Sequence, residues 1–243
     1  MNAVCRVHRL GCVPYQQAWD LQKAWAAEIA AGTRPPSLLL LEHPHVYTFG
    51  RQGHEEHLLW DAAERARRGV QVVWVDRGGD VTYHGPGQLV GYPLLLLAPG
   101  GLLGNASPQG RPRLPQADYV GYVRRLEQVI IQTLAAFGLR GFPIAGMTGV
   151  WVQPDAARPP AKIAAIGVKV DVRGVSQHGF ALNVAPDMTY WQGIIGCGLK
   201  GFAVTSMAAC LPAPPPLDVV ADVLITVFKE IFAIHTMEEA HAP

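Results

Sequence analysis

The most strongly apolar stretches of this chain are short. Leu38–Leu41 holds four residues and Tyr92–Leu97 six, against the ~20 that a membrane-crossing helix requires. Short apolar runs bounded by Gly and Pro read as buried strands, and here they are interleaved with stretches of helical periodicity. The two kinds of segment follow one another without a regular alternation. No GxGxxG sequence links a strand to a helix either. The expectation is therefore an α/β (α+β) fold, a mixed β-sheet with flanking helices, and not a doubly wound dinucleotide-binding sheet.

The pattern predicts a helix over 14–31, ended by Thr33–Pro36. SLLLLEHPHVYTFG then reads as a buried strand followed by a loop. A helix over 59–68 closes at Gly69, and VQVVWVDRGG is a strand that stops at a glycine pair. Residues 81–97 read as a turn and then a strand. Asp118 is placed to cap a helix running to Gly138. Three strands are expected at 148–153, 162–172 and 178–184, and a last amphipathic helix follows the proline cluster at 212–216. The stretch 98–116, rich in Gly, Pro and Arg, reads as a long surface loop within one domain spanning 1–243. No internal repeat is visible.

Hydrophobic residues make up 49% of the chain and charged ones 16%, the balance of a compact globular body. A net charge of +1 provides no general field for nucleic acid, so neither a nucleic-acid nor a membrane partner is expected. The start MNAVCRVHRLG lacks a continuous apolar core, so no signal peptide is read. Four cysteines without a CxxC pair or a disulfide-like spacing fit free thiols in a reducing cytoplasm.

The densest polar cluster is RGGDVTYHGPGQ, Arg77 to Gln88. A glycine-rich turn brings backbone N–H groups close to a ligand, and a plain turn has no need of Arg, His and Gln as well. In AKIAAIGVKVDV, alternation places Lys162 on one face with Ala164, Ile166, Val168 and Val170, unless a bulge intervenes. A lysine there either snorkels to the strand end or serves as a base. In QHGFALNV, His178-Gly179 echoes His84-Gly85, and Asn183 adds a polar group to an apolar strand. His43, His45, His54 and His57 raise the question of a metal, but no motif fixes a ligand geometry and none is assigned.

Cys197, in IIGCGLKGF, stands between Gly196 and Gly198. A thiolate is a nucleophile when a nearby base or cation favours it, and Lys162 lies 197 − 162 = 35 residues upstream, enough for a returning strand to meet it. Such a pair suits acyl transfer. Cys5, Cys12 and Cys210 lack comparable surroundings and read as structural.

Together these segments resemble the lipoyl(octanoyl) transferase family. The matching pieces are LLLLEHPHVYTFGR at 38–51, RGGDVTYHGPGQLVGYPLL at 77–95, GVWV at 149–152, KIAAIGVKV at 162–170, HGFALNV at 178–184 and IIGCGLKGFAVTSM at 194–207. The resemblance implies a domain similar to the catalytic domains of biotin protein ligases and lipoate–protein ligases. It implies octanoyl transfer from acyl carrier protein to a lysine of lipoyl domains, with no cofactor or metal. Cys197 becomes the acyl-thioester nucleophile and Lys162 the residue that lowers its pKa. Arg77, Gly78, Gly79, Asp80, Val81, Thr82, Tyr83 and His84 would line the acyl site with Ala165, Ile166, Gly167, Gly179, Phe180 and Ala181; His84 and His178 would be positioning groups. Relatives usually carry proline before the cysteine, where this chain has Gly196.

Three alternatives stand beside this reading: an ATP-dependent ligase of the same fold, a Cys/His thioesterase, and a binding module built on the histidine stretch. A basic face for an acidic carrier protein could come from Arg65, Arg67 and Arg68, from Arg111 and Arg113, or from Arg124 and Arg125.

Overall fold

The computed structural model describes residues 4–97, 118–154, 158–196, 201–234 and the backbone of 236–240. The first half contains β1 (Val4–Cys12), α1 (Tyr15–Ala30), β2 (Ser37–Glu42), β3 (Val46–Phe49), α2 (Ala62–Arg67), β4 (Gln71–Trp74), β5 (Val81–His84) and β6 (Gln88–Leu94). The second contains α3 (Tyr119–Ala136), β7 (Gly141–Ile144), β8 (Met147–Val152), β9 (Ala161–Val170), β10 (Ser176–Asn183), β11 (Ala203–Val204), α4 (Met207–Cys210), α5 (Leu217–Ile231) and β12 (Thr236–Ala240). Short 3-10 turns occupy Glu55–His57 and Met188–Gly193.

Nine strands form one mixed sheet in the order β12-β1-β2-β6-β10-β9-β8-β7, with β11 pairing on β9. A second sheet of three strands runs β4-β3-β5. The continuous leucines of β2 follow from its central position, because both faces of the large sheet are covered. Leu38 and Leu40 pack beneath α3 and α5 with Leu126, Ile130, Leu224 and Phe228. Leu39 and Leu41 point the other way, under Trp25 and Ile29 of α1. Asp118 caps α3 as expected, accepting from the Gly121 N–H at 2.7 Å.

Three expectations are corrected. The loop after β2 contains β3, and the turn before β6 contains β5. Each pairs with the other in antiparallel register, Val46 opposite His84 through Phe49 opposite Val81. Neither VYTF nor VTYH has enough apolar length to announce a strand, and their pairing joins distant stretches of chain. The third correction concerns β9. Its register against β8 shifts between Val150 and Trp151, so that Trp151 faces Lys162 while Val150 faces Ala164. Ile163 is the extra residue of this bulge, and it enters the core beside Ala164, Val150 and Val152. Lys162 is thereby turned off the apolar face. The loop expected at 98–116 lies outside the described residues. No described helix is long and apolar enough to cross a membrane.

Candidate functional site

A cleft opens where the small sheet meets the large one. Its walls are the turn Arg77–Asp80, Thr82 and His84 of β5, Ala165–Gly167 of β9, His178–Ala181 of β10, and two residues the sequence did not single out, Tyr15 of α1 and Tyr92 of β6. The arrangement follows from register. Gly179 pairs with Gly167, Phe180 with Ile166 and Ala181 with Ala165, which puts the two sequence motifs side by side. The turn is fastened over them by a hydrogen bond from the Gly78 N–H to the Val168 carbonyl, 3.0 Å long. Of the residues expected to line the acyl site, Val81 and Tyr83 face away. Strand alternation sends them into a separate small core with Tyr47, Phe49 and Ile194.

The cleft is polar at its base. His84 is buried, and burial holds its imidazole well below the usual histidine range. His178 sits at φ 57 in the middle of β10, a backbone conformation unusual for a side chain with a Cβ. Its Nε2 donates to Asp76 at 2.9 Å, and Tyr15 Oη lies 3.4 Å from its Nδ1. Burial pushes His178 down while the Asp76 carboxylate opposes that shift. Asp76 is itself held well below the carboxylate range, first by the His178 hydrogen bond and then by Lys169, whose Nζ is 2.5 Å away. The Thr82 hydroxyl is buried with no hydrogen-bond partner among the described residues, so it is available to a molecule in the cleft.

Lys162 is 6% exposed and lies at the start of β9, about three residues or ~10 Å along the strand from Ala165. Its Nζ is 5.3 Å from the centroid of the Trp151 ring. It lines a small cavity together with Trp191, Gly196 and Phe202. Cys197 falls outside the described residues, but both approaches to it are described. On one side Ile195 donates to the His57 carbonyl at 2.8 Å; His57 in turn bonds the Asp80 carboxylate through Nδ1. On the other side Val204 of β11 pairs with Lys162 itself. Of the described flanking residues, Ile195 is thus tied through His57 to Asp80, while Gly196 and Val204 both lie beside Lys162.

The other histidines are dispersed. His43 bonds the Val13 carbonyl and Tyr92 Oη, each at 2.7 Å, and His45 bonds Tyr83 Oη at 2.9 Å. Among the described residues no three His, Cys, Asp or Glu groups gather as a metal site. The arginines considered for docking are largely engaged with acids of their own helices: Arg67 and Arg68 with Glu64, and Arg124 with the buried Glu127. Arg125 is exposed, and Arg111 and Arg113 lie outside the described residues. Cys5 is buried, with its thiol pushed up to about 12 by that burial, whereas Cys12 is exposed.

The fold places the chain in a structural class. It overlays a bipartite lipoate protein ligase from Thermoplasma acidophilum with a TM-score of 0.69 at 17% identity, covering 98% of this chain and 87% of that one. A biotin protein ligase from Aquifex aeolicus gives a TM-score of 0.52 at 12% identity, covering 94% and 70%. Within that class the sequence is decisive: the chain belongs to the lipoyl protein ligase A/B catalytic domain family, whose model matches residues 14–229. Relatives named octanoyltransferase align almost end to end. The one from Chloroflexus aurantiacus is 46% identical over 97% of both chains. The one from Solibacter usitatus is 45% identical over 94% of this chain and 93% of its own.

Proposed function

We propose that this chain is an acyltransferase of protein lipoylation. It moves an octanoyl group from acyl carrier protein to a lysine of lipoyl domains, such as those of 2-oxoacid dehydrogenase complexes and glycine cleavage H protein. The observation that carries the reading is the position of Lys162, a buried lysine turned out of the core by a bulge, in a cavity with Gly196, the residue before Cys197. The octanoyl specificity draws on the relatives at 46% identity; the ligase neighbours share only the fold.

In the first step the Cys197 thiolate attacks the carbonyl carbon of the donor thioester. The new C–S bond forms as the carrier's thiolate leaves, and Lys162, having taken the Cys197 proton, returns one to the leaving sulfur. In the second step the amine of the acceptor lysine attacks the same carbon. The amide forms, Cys197 leaves as thiolate, and the proton released from nitrogen restores the resting pair. Thioester exchange is nearly neutral and aminolysis of a thioester is downhill, so neither ATP, a metal nor a cofactor is called for. The acyl chain would lie along β9 and β10 in the cleft, with Arg77–Asp80, Thr82, Ala165–Gly167 and Gly179–Ala181 as its walls. These steps fit one cytoplasmic catalytic domain spanning 1–243.

Intact-mass spectrometry after mixing with octanoyl-acyl carrier protein tests the scheme. An octanoyl adduct is expected on the wild type and not on Cys197→Ser. An adduct that persists on Cys197→Ser removes the nucleophile assignment. Lys162→Ala should move alkylation of Cys197 by iodoacetamide to higher pH, and an unchanged profile would remove the role given to Lys162. Strict dependence of transfer on ATP would favour the ligase alternative.

A further inference from the structure

A file of buried polar groups runs from the cleft to β9, and its hydrogen atoms can be assigned from its two ends. At one end the Thr205 carbonyl can only accept, so the Asn183 atom 2.9 Å from it is the amide nitrogen Nδ2. Asn183 Oδ1 then faces Gln88, whose Nε2 donates to it at 2.8 Å. That leaves Gln88 Oε1 facing His84, so the 2.8 Å contact requires a proton on His84 Nδ1. At the other end the Arg77 guanidinium can only donate. Its Nη2 gives to Thr48 Oγ1 at 3.0 Å, which leaves the Thr48 hydroxyl its own proton to give to His84 Nε2, 3.3 Å away. The Gln88 end places a proton on Nδ1, and with the buried ring neutral Nε2 is the acceptor of the Thr48 hydroxyl.

Every donor in this file points the same way, from Arg77 towards β9. The last link is the Thr205 N–H, which donates to the Lys162 carbonyl at 2.9 Å. Head-to-tail bonds in a dry interior polarise one another, and Thr48, His84, Gln88 and Asn183 are all buried. We propose that Asn183 and Gln88 are positioning residues: they hold His84 as its neutral Nδ1–H form against the cleft and, through the Thr205 peptide, fix the strand end that bears Lys162. The second half of this statement rests on the reading of Lys162 as the partner of Cys197. A consequence is that His84 has no free ring nitrogen and takes no part as acid or base. The groups facing it, Arg77, His43, His178 and Tyr15, include no carboxylate to favour its cation.

Nitrogen NMR of the imidazoles in the full chain reads the first half directly. The expected His84 signal is that of the neutral Nδ1–H tautomer, unchanged as pH is lowered from 8 to 5.5. An Nε2–H tautomer, or a His84 that titrates in this range, overturns the assignment. Gln88→Glu should make His84 titrate, because a carboxylate then accepts from Nδ1. For the second half, Asn183→Leu should transfer octanoyl from the enzyme to the acceptor at least tenfold more slowly, with the donor KM within twofold of wild type. Wild-type transfer by Asn183→Leu, with Lys162→Ala impaired, overturns the positioning role. If Lys162→Ala itself transfers normally, the reading of Lys162 falls instead, and the His84 tautomer is decided by the NMR alone.

Discussion

A methyl group on Gly149 would stand 2.9 Å from Lys162 Cε and 2.5 Å from the Ala164 carbonyl oxygen. The lysine side chain thus occupies the space where a side chain at 149 would be, and the backbone there, at φ +121, is closed to most other residues in any case. The Gly149 N–H is held at 3.2 Å by the buried Glu127 carboxylate of α3, so the strand cannot easily yield. Gly149→Ala should therefore move the ammonium without removing it. Displacements of this size cost on the order of 10²-fold in rate. Single-turnover transfer is expected to fall by at least about tenfold, and alkylation of Cys197 should shift in the direction of the Lys162→Ala profile. Transfer at the wild-type rate would mean that the position of the lysine is not critical.

At the scale of elements, the backbone of β10 approaches β6 so closely that a Cβ on Gly179 would meet the Gly91 carbonyl oxygen at 2.0 Å. Gly179→Ala must spread the two strands that form the floor of the cleft, and overpacking of this kind costs about 1–3 kcal/mol. Urea denaturation should show a lower midpoint with an unchanged slope; an unaltered midpoint would show that the sheet accommodates the methyl. Much of this level was legible in the sequence where the signal is local. The Asp118 cap and the helices α1, α3 and α5 followed from spacing, and family resemblance brought Arg77–Asp80, Thr82, His84 and Gly179–Ala181 together, while Val81 and Tyr83 of the same motif turn into another core. What was not legible depends on partners far away in the chain. β3 and β5 read as loop and turn because only pairing with distant stretches, β3 with both β4 and β5, makes them strands. β1 and β12 had no local signature at all. The bulge at Ile163 reversed the face of Lys162, and nothing in AKIAAIG announces it; Tyr15, Asp76 and His57 joined the site only through packing.

For the molecule as a whole, the buried histidines set the response to acid. His43 donates from Nδ1 to the Val13 carbonyl and accepts at Nε2 from Tyr92, and burial pushes it down to about 4. The unfolded chain binds a proton near 6.5 that the native state refuses, so stability is complete above that value and falls as pH drops from 6.5 towards 4. One such group contributes about 3 kcal/mol across the window. His84 and His178 are lowered in the same sense, and the depressed Asp76 loses its contribution at still lower pH. Urea midpoints should therefore decline steeply between pH 7 and pH 5, and His43→Gln should flatten the curve. A wild-type midpoint that holds steady over that interval would contradict the native state's refusal of those protons.

The edge of the large sheet is closed by β12, whose residues Thr236–Ala240 run parallel to Val4–His8 of β1. Joining these two strands requires the largest loop closure in the described chain, so that edge is expected to form late. Until it does, β1 presents an open row of backbone donors and acceptors to other molecules. Because the two strands are parallel, the start of β1 at Val4 lies beside Thr236 while the end of β12 at Ala240 lies beside His8, so a linker joining them must run back along the strands and cannot be a tight turn. A circular permutant opened in an exposed turn of the same chain would keep the cleft while folding along a different route.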